Sequence, residues 1–239
     1  MGRETALGQR PFLNGGCGRV ILPAPKPAHY GLIDDAVTTY PLWINADRNK
    51  VEGVDKVIDL FSYPWDFATD SFDGALFSHV VEHIPHYINT NVIPPYDWNG
   101  DFDWCKRACE LEKSQDGWWA FWSEVFRVCR DGSIIHVLCP YAWSQGAITD
   151  PSHHRLLTEH TWTHSMQPDP NAPFSYETGG IHFEVVNVTF GLYQNWQHLL
   201  THPHDNAETV SAKQAKFNEL LRSQINVVND MYAKLRVVK

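Results

Sequence analysis

No two cysteines stand in C-x-x-C spacing, and the chain's five (Cys17, Cys105, Cys109, Cys129 and Cys139) are odd in number. Neither a disulfide framework nor a zinc ribbon is indicated. Cys17 lies in a glycine turn, and Cys129 and Cys139 border or sit within apolar runs. They read as small buried hydrophobes in a reducing compartment. No apolar run is long enough to span a bilayer, and Met1 to Arg10 is polar with no apolar signal region. A soluble cytoplasmic protein is the expectation. A basic excess is lacking too: the formal charge is −9. That argues against nucleic acid or an anionic membrane as the main partner. Lys213, Lys216, Arg222, Lys234, Arg236 and Lys239 gather near the C-terminus, where they read as a solvated helix face. Internal repeats and low-complexity tracts are also missing.

What the chain has in plenty is apolar and aromatic residues, at 43% and 13%, with ten tryptophans. These suffice for a packed core, and the 239 residues read as a single α/β domain. Its first strand, residues 11 to 16, runs into Asn14-Gly15-Gly16-Cys17-Gly18. A glycine turn there lets backbone approach a ligand closely. Further strands are expected at 42 to 47, ending in Asp47, at 55 to 60, containing Asp59 and Leu60, and at 73 to 78. A glycine turn followed by an acid at the end of the next strand is how nucleoside-binding α/β folds grip an adenosine.

Pro23, Pro25, Pro27 and Pro41 break any helical period over residues 19 to 41, so a long loop with a helical turn near Asp34 to Val37 replaces the usual first helix. Residues 86 to 117 read as an insertion with a helix near Asp103 to Lys113. Trp118, Phe121, Trp122, Val125, Phe126 and Cys129 recur at helical spacing over 118 to 130, with Asp131-Gly132 as the stop. Ser133 to Cys139 is a strand buried on both faces. Residues 141 to 180 read as loop with a short helix at Thr158 to Ser165, and 183 to 190 as a strand. Asp205 to Glu208 resembles a capping box. Phe217, Leu220, Leu221, Ile225, Val228, Met231, Tyr232 and Leu235 then mark one face of a long C-terminal helix, 206 to 235, running roughly 40 Å. Leu235 to Val238 could instead form a short final strand.

Four blocks in this order resemble the class I S-adenosylmethionine-dependent methyltransferases, closest to the type 11 methyltransferase domain. They are Leu13 to Gly18; Val57-Ile58-Asp59-Leu60 with Pro64-Trp65; Ser71-Phe72-Asp73 through Ser78-His79-Val80-Val81-Glu82-His83; and Glu124 through Gly132. Asp150-Pro151-Ser152-His153-His154-Arg155 is similar to a block some members carry after the fifth strand. The resemblance implies a Rossmann-like fold with a mainly parallel sheet and helices on both faces. It also implies S-adenosyl-L-methionine as cofactor and methyl transfer to a small-molecule or protein acceptor. By this likeness Asn14, Gly15, Gly16, Cys17 and Gly18 would lie under the methionine part and ribose. Asp47 would accept from the ribose hydroxyls, Asp59 and Leu60 would flank the adenine, and Ser78 and His79 would open onto the methyl donor. Glu82, His83, His153 and His154 are the acceptor-side candidates for acid–base work, because a histidine near neutral pKa can take a proton from an acceptor.

Three departures favour an alternative, a methyltransferase-fold structural or partner-binding protein that docks through its C-terminal helix. The family usually has an acid where Asn14 stands, Val20 replaces its third glycine, and the first helix is missing. An NAD-dependent oxidoreductase fits less well, because a pyrophosphate would need that helix. His160-x-x-x-His164 and His198-x-x-x-His202-x-His204 have metal-compatible spacing, but with thirteen histidines chance explains them, and no metal is expected. Ile93-Pro94-Pro95-Tyr96 reads as a turn, because the amino-methyltransferase signature needs Asp, Asn or Ser before its prolines.

Overall fold

The computed structural model describes residues 10–23, 32–33, 35–86, 116–166 and 181–239. The expected insertion helix at 103 to 113, the Ile93 to Tyr96 turn, Cys105 and Cys109 lie outside them. The sheet has seven strands: β1 (Phe12–Gly15), β2 (Trp43–Asp47), β3 (Lys56–Val57), β4 (Phe72–Ser78), β5 (Cys129–Pro140), β6 (Phe183–Leu192) and β7 (Val228–Val237). Their order is β3-β2-β1-β4-β5-β7-β6. The first five are mutually parallel, and β7 runs antiparallel to both its neighbours. Reversing order at β1 puts a crevice at the carboxyl ends of β1 and β4, where open α/β sheets bind ligands.

Strand parity sorts the core into two faces. Leu13, Ala75, Phe77, Ile135 and Val137 join a cluster with Phe121, Trp122 and Val125, which come from the helix α2 (Gly117–Val128). Leu76 and Leu138 point the other way, toward Trp43, Ile33, Val37 and Tyr232. A strand with both parities apolar is what a sheet covered on both faces requires. The Asp116 carboxylate caps α2, accepting from Trp118 N–H at 2.7 Å. Trp122 packs edge-on against Trp162 and Phe183.

The helical period predicted α2 well, but its end falls at Val128, before Asp131-Gly132. The chain enters β5 at Cys129 without a turn. Pairing with β4 jumps from Phe72↔Cys129 to Gly74↔Ile134, so the bulge takes up Asp131 and Gly132, the latter at φ +76. A glycine there serves an irregular strand rather than a helix stop.

The first crossover carries α1 (Asp35–Thr38), a single turn. In place of a long helix, two asparagines fasten the loop. Asn14 Nδ2 donates to Val20 O and to Asn45 Oδ1, each at 2.8 Å. Asn45 also accepts from Leu22 N and donates to Leu22 O, both at 2.8 Å.

Beyond β5 come α3 (Gln145–Thr149), a turn the sequence did not signal, and α4 (Glu159–Ser165), which matches the short helix expected there. The C-terminal expectation needs correcting. α5 (Ala207–Ser223) starts as foreseen, with Asn206 accepting from Thr209 N–H at 2.8 Å, but it stops at Ser223. Asn226 then takes φ +57, and residues 228 to 237 form β7, between β5 and β6. Val228, Met231, Tyr232 and Leu235 fit a helical i, i+3, i+4, i+7 stripe. A strand buried on both faces shows the same pattern, and Ala233 and Val237, also buried, complete it. Among the described residues no helix is long and apolar enough to cross a membrane. Cys17, Cys129 and Cys139 are free and buried, as expected.

Candidate functional site

A cleft of about 440 Å³ opens at the carboxyl ends of β1, β2 and β4. Gly16, Asp47, Asp59, Leu60, His79, His83 and His154 of the expected residues line it. Residues given no site role in the sequence line it too: Ile58, Val80 and Ser152 from within the quoted blocks, and Arg48, Asn49, Phe61 and Pro85 from outside them. All lie within two residues of an expected site residue, which was the signal available.

The glycine turn divides into two roles. A Cβ on Gly15 would stand 2.5 Å from the Phe77 ring, so Gly15 is there for packing and does not line the cleft. Gly16 bends at φ +66 beside Val80 and lines the cleft. Asn14, Cys17, Gly18 and Ser78 do not line it. The Asn14 amide nitrogen is engaged by the loop and by Asn45, so its hydrogen bonds run within the protein. The Cys17 thiol is buried and pushed up to about 11, by burial first and then by the Asp47 charge, so it is inert. Gly18 acts through its backbone, donating to Asp47 Oδ2 at 2.9 Å.

Asp47 is nearly buried. Its Oδ1 accepts from Asn49 N–H at 2.8 Å and from Asn49 Nδ2 at 3.2 Å, while among the described residues Oδ2 accepts only from Gly18. A carboxylate has about four acceptor positions, so Oδ2 keeps one for a ligand hydroxyl. Asp59 holds its own turn, with Oδ1 accepting from Phe61 N–H at 2.9 Å and Oδ2 from Ser62 Oγ at 3.3 Å. It is exposed and retains acceptor capacity. Ile58, Leu60 and Phe61 put apolar surface beside it.

His79, at the end of β4, sits in the left-handed region at φ +55, held by its N–H to Leu138 O at 2.7 Å. A non-glycine residue there is strained by roughly 1–2 kcal/mol. Its Nδ1 lies 3.3 Å from Glu82 Oε1. Burial alone would lower the imidazole pKa, but the hydrogen bond and charge of Glu82, with Asp230 further off, outweigh it and leave His79 raised.

Glu82 and His83 lie on a 3-10 turn, Val81–His83. Two links draw the 150–155 loop onto it. Glu82 O accepts from His154 N–H at 2.8 Å and from Arg155 N–H at 3.0 Å. The Arg155 guanidinium reaches Ile84 O, Pro85 O and Asp116 Oδ1 at 3.1, 3.0 and 2.7 Å. As a result His153 packs edge-on against His83, ring centroids 4.7 Å apart, beside the buried Glu82. His154 is exposed and turns toward His86, 6.5 Å between rings. The structure thus joins Glu82, His83 and His153 and leaves His154 at the rim. His160 and His164 form an exposed pair on α4, away from the cleft lining.

No family model matches the chain, and no curated protein matches it. Solved structures do. A SAM-dependent methyltransferase from Archaeoglobus fulgidus matches with TM-score 0.49 and 16% identity, over 96% of this chain and 86% of that one. The YcgJ protein from Bacillus subtilis matches with TM-score 0.46 and 13% identity, over 97% and 92%. Phosphoethanolamine N-methyltransferase 2 from Haemonchus contortus, in complex with S-adenosyl-L-methionine, matches with TM-score 0.44 and 11% identity, over 97% and 49%. The strand order, the reversed β7 and the cleft at the carboxyl ends of β1, β2 and β4 make this a Rossmann-like fold of the class I methyltransferase kind.

Proposed function

We propose that the chain is a single methyltransferase-like domain, working in the cytoplasm, that moves a methyl group from S-adenosyl-L-methionine to a small-molecule or protein acceptor. One observation carries this reading: Asp47, Asp59 and the bare backbone of Gly16 face the same cleft. The free position on Asp47 Oδ2 suits a ribose hydroxyl. Asp59 suits an exocyclic amine, with Ile58, Leu60 and Phe61 against the flat face of a base. Gly16 brings bare backbone to the cleft, and a Cβ there would stand 2.5 Å from the Val80 side chain. When bound, the cofactor supplies an activated methyl on its sulfonium. The protein's part is to place the acceptor and take its proton where needed. His83 and His154 line the cleft, and Glu82 and His153 cluster with His83.

Calorimetric titration of S-adenosylhomocysteine tests this. Asp47→Asn and Asp59→Asn should each weaken binding about tenfold, or about 1.4 kcal/mol, with the far-UV spectrum unchanged. Equal affinity in wild type and both variants would remove the assigned site.

The inward turn of Asn14 favours the second reading, a fold kept as a scaffold. Failure of the wild type to bind S-adenosylhomocysteine at millimolar ligand would select it.

A further inference from the structure

We propose that Glu82, His83 and His153 bind a divalent first-row metal ion beside the cleft. One donor atom from each side chain lies within 4.8 Å of the others. A tetrahedral ion with bonds near 2.1 Å needs donors about 3.4 Å apart, so small side-chain rotations close the set.

Glu82 carries the argument. Its side chain is 2% exposed; among the described residues Oε2 has no hydrogen-bond partner and Oε1 meets only His79 Nδ1, at 3.3 Å. Leaving a buried carboxylate with one donor for its two oxygens is costly. His79, 3.3 Å from Oε1, supplies a cation only when protonated and stands at one oxygen alone. A metal ion answers that buried charge directly.

The two imidazoles are oriented for the same task. His83 Nδ1 lies 3.1 Å from Ser152 O, and His153 Nδ1 lies 3.1 Å from Ala147 O. A carbonyl cannot donate, so in each neutral ring Nδ1 carries the hydrogen and Nε2 keeps its lone pair. Metal-binding histidines are held by such outer bonds. Ser152 Oγ adds a second anchor, 3.2 Å from His83 Nδ1, and itself donates to Asp150 Oδ1 at 2.6 Å. Asp150 Oδ2 is 3.7 Å from His153 Nε2, beyond hydrogen-bond reach, and leaves that nitrogen available.

Two imidazole nitrogens and one carboxylate oxygen suit zinc, iron(II), cobalt or nickel better than calcium or magnesium. Three protein ligands leave a position open, and His83 lines the cleft. That is the pattern of a catalytic rather than a structural ion. An acceptor hydroxyl bound there would lose its proton more readily. Only this last role rests on the methyl-transfer reading; the binding site rests on the three side chains.

The test is a titration of the chelator-stripped full chain with cobalt(II), followed by visible absorption, and with zinc, followed by calorimetry. Both are done without S-adenosylmethionine. One equivalent should bind, and His83→Ala and His153→Ala should each weaken affinity at least tenfold while keeping the wild-type near-UV spectrum. The double variant His160→Ala, His164→Ala should stay within twofold of wild type. Because Glu82 is buried, Glu82→Gln is read beside the two histidine variants. No binding at millimolar cobalt, or wild-type affinity in both single histidine variants, would overturn the site. S-adenosylhomocysteine binding, measured on the same stripped protein, reports on the methyl-donor reading separately.

Discussion

Asn45 does the work of a missing secondary-structure element. Its one amide meets Leu22 N and O and accepts from Asn14, so Asn45→Ala would strand three buried polar groups. A loss of roughly 1–3 kcal/mol is expected, read as a lower urea midpoint. Asn14→Asp, which restores the acid usual in the family, should be destabilising here. A carboxylate cannot donate to Val20 O and would face Asn45 Oδ1. A more stable Asn14→Asp protein would contradict the role given to this amide. Gly15→Ala should cost roughly 1–3 kcal/mol by overpacking against Phe77. Phe77→Leu in the same chain should recover part of that loss, read as non-additivity in a double-mutant cycle. At this scale the sequence was legible where strand position fixed direction. Asp47 and Asp59 fall at strand ends and do face the cleft. The bond from Asn14 to Asn45 was not legible, because the two lie a whole crossover apart.

Elements show where local pattern fails. α2 was legible from its apolar period, since one face packs on a sheet. β7 was not, because a strand apolar on both faces and an amphipathic helix place buried residues at overlapping positions. Hydrogen exchange separates the two: β7 amides should be among the slowest in the chain. α5 amides should exchange faster, because Leu220 is that helix's only buried residue. Equal slow exchange from 208 through 235 would restore the single long helix. α2 also anchors the loop after β3. Glu124 accepts from Trp65 N–H at 2.7 Å, and Arg127 bridges to Glu124 Oε1 at 2.9 Å and to Trp65 O and Phe67 O at 2.9 and 2.8 Å. Burial raises the Glu124 pKa, but bonds from Arg127 and Trp65 outweigh it and hold the carboxyl below its ordinary 4.5. Its contribution is therefore full above pH 4.5 and fades as pH falls through the lowered value. Glu124→Gln should destabilise at pH 7, and the gap to wild type should close in more acidic solution. A gap that widens on acidification would reverse the sign assigned here.

For the whole molecule, sheet order decides what can meet. Parallel pairing of β3, β2, β1 and β4 brings the two acids and the Gly16 bend to one rim. The sequence blocks announced that rim, because each sits directly after a strand. The meeting of His153 with Glu82 and His83 was not announced. It depends on Arg155 and the Glu82 carbonyl drawing a distant loop onto the 3-10 turn. Arg155→Ala should therefore loosen the loop. Its expected marks are a drop of roughly 1–3 kcal/mol in stability and faster exchange at the His154 and Arg155 amides. Unchanged exchange there would free the loop from this dependence.

A crystal soaked in S-adenosylhomocysteine bears most directly on the account. Ligand density should lie over Gly16, with the ribose at Asp47 and the base between Asp59 and Phe61. A clear cleft at saturating ligand, or the nucleoside bound at another surface, would contradict the account.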